Sequence, residues 1–134
     1  AVFTTSFARR GLIAEHGVSW MLPRLVGLQN ALDLLLSARK LDAHEALRMG
    51  LVSQVLPAAT LPSGVLSYAR ELADFVSPRS MGVIKRQLWQ AQFQGLADAT
   101  AVADEEMRKS FLAEDFKEGV AHFLEKRAPR FTGR

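Results

Sequence analysis

Gly11-Leu12-Ile13-Ala14-Glu15-His16-Gly17-Val18-Ser19-Trp20-Met21-Leu22-Pro23-Arg24-Leu25-Val26-Gly27 sets one acid among apolar residues immediately ahead of a helix. Gly11 marks a turn, Gly17-Val18-Ser19 opens the helix, and Gly27 stops it after Val26. Pro23 comes early enough in that helix to be tolerated, although it removes one donor. A carboxylate at Glu15, beside Leu12, Ile13, Val18 and Trp20, is expected to be poorly solvated. Poor solvation disfavours the charged form and suits a carboxylate to proton transfer near neutral pH, so Glu15 is a candidate general base. The plainer reading of the same residues is a solvated loop acid placed favourably at a helix N-terminus, which is what a lone Glu ahead of a helix usually is.

Upstream, Val2-Phe3-Thr4-Thr5 is β-branched and aromatic and reads as the tail of a strand. A strand needs hydrogen-bonding neighbours, and none precedes it, so the sheet is expected to lie in residues outside this sequence, as in a fragment or a processed half. Downstream, residues 28–38 predict a helix buried on more than one face, because Leu28, Ala31, Leu32, Leu34, Leu35 and Leu36 crowd it, with Asp33 reaching a surface edge. Asp42 caps a further helix whose apolar face is Ala43, Ala46, Leu47 and Met49, with His44 facing solvent and Gly50 supplying a left-handed stop. Residues 51–56 alternate well enough for a short strand, which Pro57 ends.

Beyond Pro62 the pattern is helical nearly to the end. Val65, Leu66, Ala69, Leu72, Ala73 and Val76 recur at helical spacing, and Ser77-Pro78 interrupts the run before a helix carrying Met81, Ile84, Leu88 and Ala91. Trp89 on that helix reads as a core or interface aromatic. A third helix covers 96–112, with Asp98, Asp104, Glu105 and Glu106 largely on solvated faces. Asp104, Glu105 and Glu106 are consecutive, so they splay around the helix and cannot converge on one substrate atom. The last helix, 115–127, takes Asp115 as its cap and aligns Phe116, Val120, Phe123 and Leu124 along one side, which must dock on something apolar.

Composition bounds these readings. A chain of 134 residues, 49% hydrophobic, supports one compact domain and is too short for two full ones. Without cysteine there is neither a disulfide framework nor thiolate chemistry, which fits a reducing compartment, and the cytoplasm is the expected location. No stretch approaches the roughly 18 consecutive apolar residues of a membrane span, so no membrane partner is expected. The net charge of +3 permits an anionic partner. Arg9-Arg10, Lys85-Arg86 and Lys126-Arg127 are dispersed among acids rather than forming a stripe interleaved with aromatics, which argues against nucleic acid. No metal site is expected.

Three ordered blocks carry a family resemblance. Phe3-Thr4-Thr5-Ser6-Phe7-Ala8-Arg9-Arg10-Gly11-Leu12-Ile13-Ala14-Glu15-His16-Gly17-Val18-Ser19, with Leu22-Pro23-Arg24-Leu25-Val26-Gly27, resembles the second half of the enoyl-CoA hydratase/isomerase (crotonase) family. Leu34-Leu35-Leu36-Ser37-Ala38-Arg39, followed by Asp42-Ala43-His44-Glu45-Ala46-Leu47-Arg48-Met49-Gly50-Leu51-Val52-Ser53-Gln54-Val55-Leu56-Pro57, resembles it at the same separation. Asp115-Phe116-Lys117-Glu118-Gly119 and Phe123-Leu124-Glu125-Lys126-Arg127-Ala128-Pro129-Arg130-Phe131 are similar to its C-terminal end. The resemblance implies the C-terminal portion of an α/β crotonase-type fold, mostly helical with short strands. Residues 1–57 would end the active-site core and carry the Glu loop, and residues 58–134 would form a helical trimerisation region.

The family acts on acyl-CoA, holding the thioester carbonyl with two backbone N–H groups while a base works at the neighbouring carbon. The resemblance thus implies no tightly bound cofactor, coenzyme A as part of the substrate, and a homo-oligomer, a trimer or dimer of trimers. Hydratases use two glutamates; where many carry the second, in a Pro-Glu pair, this chain reads Ser6-Phe7. Ala14-Glu15-His16-Gly17 instead resembles the Pro-Glu-Gly-type loop of the Δ3-Δ2 enoyl-CoA isomerase branch, which implies Glu15 as the single catalytic carboxylate; His16 stands where that branch prefers a small residue and, although it could tune Glu15, is read as a spacer. Phe123 and Lys126 keep the family's Phe-x-x-Lys spacing and are carried over as coenzyme A contacts, a ring face for adenine and an ammonium for phosphate. The rival reading is a catalytically inactive helical assembly module that retains only the interface.

Overall fold

A computed structural model describes all of residues 1–134 and divides the chain into two compact units, Ala1–Ala58 and Ala59–Arg134. In the first unit, β1 (Val2–Phe3) pairs antiparallel with β2 (Leu41–Asp42), with Val2 opposite Asp42 and Phe3 opposite Leu41. The expectation of a strand without a neighbour in this chain is therefore corrected: one partner lies 39 residues downstream of Val2 at the start of β2, and the strand is only two residues long. Three helices complete the unit: α1 (Val18–Val26), α2 (Leu28–Ser37) and α3 (Ala43–Arg48). α1 and α2 pack against each other across Gly27, whose φ of 79° makes the sharp turn between them possible.

The core is small: Leu22 and Val26 of α1, Ala31 and Leu34 of α2, Leu41 and Ala46, with Phe3, Val18 and Met49 packed around them. Only Ala31 and Leu34 of α2 are buried, while Leu28, Leu32 and Leu36 are exposed, so the prediction of burial on several faces does not hold within this chain. Nor is residues 51–56 a strand. The Leu51 N–H turns back to the Ala46 carbonyl at 2.9 Å, so the segment closes the end of α3 and its backbone is committed there. Asp42 caps α3 as predicted, its Oδ1 accepting the Glu45 N–H at 2.8 Å, and that bond holds its carboxyl below the usual range.

The second unit consists of α4 (Leu61–Phe75), α5 (Pro78–Ala91), α6 (Leu96–Leu112) and α7 (Glu114–Glu125). α5 packs on α6 and α6 on α7, and Phe111 meets Phe116 edge to face at 5.2 Å where α6 gives way to α7. Trp89 of α5 is half exposed in this chain rather than enclosed. Glu106 departs from the solvated face predicted for the acids of α6: its side chain is largely covered and pairs with Arg86 at 3.1 Å.

Asp115 is not the cap of α7. Ala113 holds that position, and Asp115, two residues on in the first turn, is 5% exposed. Its carboxylate accepts the Ser77 hydroxyl at 2.5 Å and the Thr132 and Gly133 N–H groups at 2.8 and 3.1 Å. One turn along, Glu118 accepts two bonds from the Arg127 guanidinium, at 2.5 and 2.8 Å, and the Arg130 N–H at 2.7 Å. Lys126, left-handed at φ 53°, reverses the chain, so the last residues run back along α7 and are pinned by two of its carboxylates. A sequence pattern can show an acid at a helix start; it cannot show that the donors come from 17 residues away.

Candidate active site

The loop that carries Glu15 is tied down before it is reached. Side chains that follow β1 donate to carbonyls at and just beyond the end of α2: Thr5 to Leu34 at 2.8 Å, beside the Ala38 N–H that the same carbonyl accepts at 3.2 Å, Thr4 to Ala38 at 3.1 Å and Arg9 to Ser37 at 2.9 Å. A 3₁₀ turn, Ala8–Arg10, ends at Gly11 with φ 71°, and the Phe7 carbonyl accepts the Leu12 N–H at 3.0 Å. The chain then extends to Glu15 and makes a tight turn in which the Glu15 carbonyl accepts the Val18 N–H at 3.0 Å. Both central residues, His16 at φ 55° and Gly17 at φ 74°, are left-handed, as a type I′ turn requires. Gly17 supplies this conformation freely and also forms the N-cap of α1.

The Glu15 side chain is 37% exposed, and its one close polar neighbour is His16, with Nε2 3.6 Å from Oε2. The apolar enclosure expected from Leu12 and Ile13 is absent in this chain, because both side chains stand outward, Ile13 at 76% exposed. Every other carboxylate of the first unit is engaged. Asp33 and Glu45 both bind Arg39, at 2.7 Å from Nε and 2.7 Å from Nη2, and Asp42 caps α3. Glu15 alone has neither an arginine nor a backbone donor, so it is the acid of this unit left available to a ligand. Val18, the last residue of the turn, lines an apolar hollow of about 370 Å³ together with Phe3, Leu22, Leu34 and Leu51.

Phe123 and Lys126 belong to the second unit. Phe123 is 77% exposed on the last turn of α7, where it lines a hollow of about 420 Å³ with Phe116, Val120, Leu124 and Phe131. Lys126 follows the end of the helix, its N–H closing onto the His122 carbonyl, and its ammonium pairs with no carboxylate. The structure brings these two to the same end of α7. His16, read from the sequence as a spacer, occupies a left-handed position with Nε2 3.6 Å from the Glu15 carboxylate. The signal available in the sequence was the Glu-His-Gly order, which favours such a turn. No group of three or more His, Cys, Asp or Glu side chains could hold a metal ion.

Solved structures match this arrangement over its whole length. An enoyl-CoA hydratase from Bacillus anthracis superposes with a TM-score of 0.95 at 25% identity, covering 100% of this chain and 52% of that one. A probable enoyl-CoA hydratase/isomerase from Mycobacterium abscessus superposes at 0.94 with 31% identity and the same coverage. The fold is thus a portion of the crotonase type. The family model for enoyl-CoA hydratase/isomerase matches residues 1–134, and the chain belongs to that family. Among its relatives are the 1,2-epoxyphenylacetyl-CoA isomerase of Escherichia coli, 34% identical, and a probable enoyl-CoA hydratase of Rhodobacter capsulatus, 35% identical. This chain covers 51% and 52% of those two proteins, so it spans about half the length of the relatives it matches.

Proposed function

We propose that this chain is the C-terminal half of an acyl-CoA enzyme that isomerises 3-enoyl thioesters to 2-enoyl thioesters, with Glu15 as its base. The observation that carries this reading is the one carboxylate of the first unit without an arginine or backbone donor, fixed on a type I′ turn whose last residue, Val18, lines an apolar hollow. In the reaction the Glu15 carboxylate takes a proton from C2. The electron pair spreads onto the thioester oxygen through C1 and, through the C3–C4 double bond, onto C4, as a dienolate. The neutral acid then returns the proton to C4, which leaves the double bond between C2 and C3. One carboxylate suffices for both transfers.

Hydration needs a second acid to handle water. Phe7 stands where the resemblance would put it, with its backbone spent on Thr5, Arg10 and Leu12. Donors for the thioester oxyanion are assigned to the remainder of a polypeptide about twice this length, as in the relatives. Phe123 and Lys126 would receive the adenine and a phosphate of coenzyme A, in a homo-oligomer. The exposed apolar side of α7 also suits the alternative, a non-catalytic assembly module, since Phe123 and Leu124 are both more than 70% exposed.

These readings separate on product analysis. The polypeptide that carries both halves, given a 3-enoyl-CoA, is expected to yield a 2-enoyl-CoA of unchanged mass faster than it adds water to a 2-enoyl-CoA. A product heavier by one water as the main outcome would assign hydration, and no turnover of either thioester would leave the assembly module.

A further inference from the structure

We infer that Arg127 is a positioning residue for the coenzyme A site, setting Lys126 and Phe123 at the end of α7 through its fork onto Glu118; this inference rests on Phe123 and Lys126 receiving the nucleotide. Of the two adjacent cations, one is spent within the fold. The Arg127 guanidinium gives Nη1 and Nη2 to the two oxygens of Glu118 at 2.5 and 2.8 Å, Nε to Glu125 at 2.5 Å, and Nη1 also to the Ala128 carbonyl at 3.0 Å. Those bonds engage four of the five N–H groups a guanidinium carries, so Arg127 is not a free hand for a phosphate. The Lys126 side chain is exposed and its ammonium pairs with no carboxylate.

What the fork holds is an unfavourable backbone. Lys126 is left-handed, at φ 53° and ψ 41°, and its N–H and that of Arg127 both close on the His122 carbonyl, the latter at 3.2 Å. Glycine adopts this conformation freely, whereas for a lysine it is disfavoured and persists only where the surroundings impose it. Here they do. Glu118, whose side chain is 19% exposed, also accepts the Arg130 N–H at 2.7 Å, so two residues that follow the reversal are tied to one carboxylate of α7. Phe131 then meets the His122 ring edge to face at 5.9 Å. Without the fork, residue 126 is free to extend α7 in the right-handed form, which sends its ammonium in another direction and loosens the last turn, where Phe123 stands.

The test compares two substrates of the polypeptide carrying both halves: the 3-enoyl thioester of coenzyme A and that of pantetheine, which has the same reacting end and no nucleotide. Arg127→Met is expected to raise KM for the coenzyme A thioester about fivefold at nearly constant kcat, and to leave KM for the pantetheine thioester where it was. Lys126→Gln is expected to give the same split, and the double variant to fall well short of the product of the two single effects, because both act on one contact. Glu118→Gln, which keeps the shape of the side chain and an acceptor for Arg130, carries the test if Arg127→Met does not fold. Arg127→Lys, whose ammonium cannot span both oxygens as a fork does, should show a smaller rise than Arg127→Met. An unchanged KM, equal rises on both substrates, or effects that multiply in full would overturn the positioning role while the split in Lys126→Gln keeps the coenzyme A contacts. No split in either Lys126→Gln or Phe123→Ala would overturn those contacts and this inference with them.

Discussion

Glu15→Gln is expected to lower kcat for 3-enoyl-CoA isomerisation by about 10²–10⁴-fold, the range over which a positioned general base contributes. Gln keeps the length of the side chain and its polar end but cannot hold the proton between C2 and C4. The fall should appear in kcat and kcat/KM together, because the carboxylate acts on the reacting carbon and not on the coenzyme A portion. Folding should be unaffected. The Glu15 side chain is partly exposed and lacks arginine and backbone partners, while the turn is closed by its carbonyl, which Gln retains. A matching thermal midpoint for the two proteins, measured beside the kinetics, separates lost chemistry from lost structure.

Asp115→Ala is expected to give the largest loss of stability in the second unit, about 3 kcal/mol, a depression of the melting midpoint on the order of 10 °C. Ser77 and Asp115 are its two buried polar side chains, and they bond each other. Removing the carboxylate leaves the Ser77 hydroxyl and two backbone N–H groups without acceptors, and each hydrogen bond to a charged group contributes roughly 1.5–3 kcal/mol. Asp115→Asn, which retains one acceptor oxygen, should cost about half as much.

The same site fixes the response to acid. Burial pushes the Asp115 carboxyl up, but the Ser77 hydroxyl, the Thr132 and Gly133 N–H groups and Arg79 outweigh it and hold the group below its usual 3.8. Glu118 is held down to about 2 from 4.5, chiefly by Arg127, against the effect of burial and with help from the Arg130 N–H. Both carboxyls are lowered on folding, so their stabilisation is complete above their ordinary values and is lost as pH falls below them, for Glu118 toward about 2. Amide exchange should show this as protection at Thr132 and Gly133 that fades in the native protein as acid protonates Asp115, below its usual 3.8, and is already missing in Asp115→Ala.

Local signals in the sequence located most of the helices because their causes are local. Gly17 and Gly27 bound α1, Ser77-Pro78 opens α5 with the Ser77 Oγ accepting the Ser80 N–H at 3.1 Å, and Asp42 caps α3. What failed was decided at a distance. Nothing within residues 51–56 reveals that Leu51 returns to Ala46, and nothing near Asp115 announces Thr132 and Gly133. The leucines of residues 28–38 described how much apolar surface α2 carries but not how little of it this chain covers, since burial belongs to neighbours rather than to the helix. Although the apolar enclosure read from its flanking residues is not formed, the place of Glu15 on a loop ahead of α1 was legible. Its availability was not, because that follows from where the other carboxylates of the first unit spend their hydrogen bonds.

The most direct measurement follows a labelled proton. With a 3-enoyl-CoA deuterated at C2 and the reaction run in ordinary water, a single carboxylate that both removes and returns the proton must deliver deuterium to C4 of the 2-enoyl product, and Glu15→Gln must deliver none. Product from the native protein that carries no deuterium at C4 would contradict the shuttle and with it the place given to Glu15.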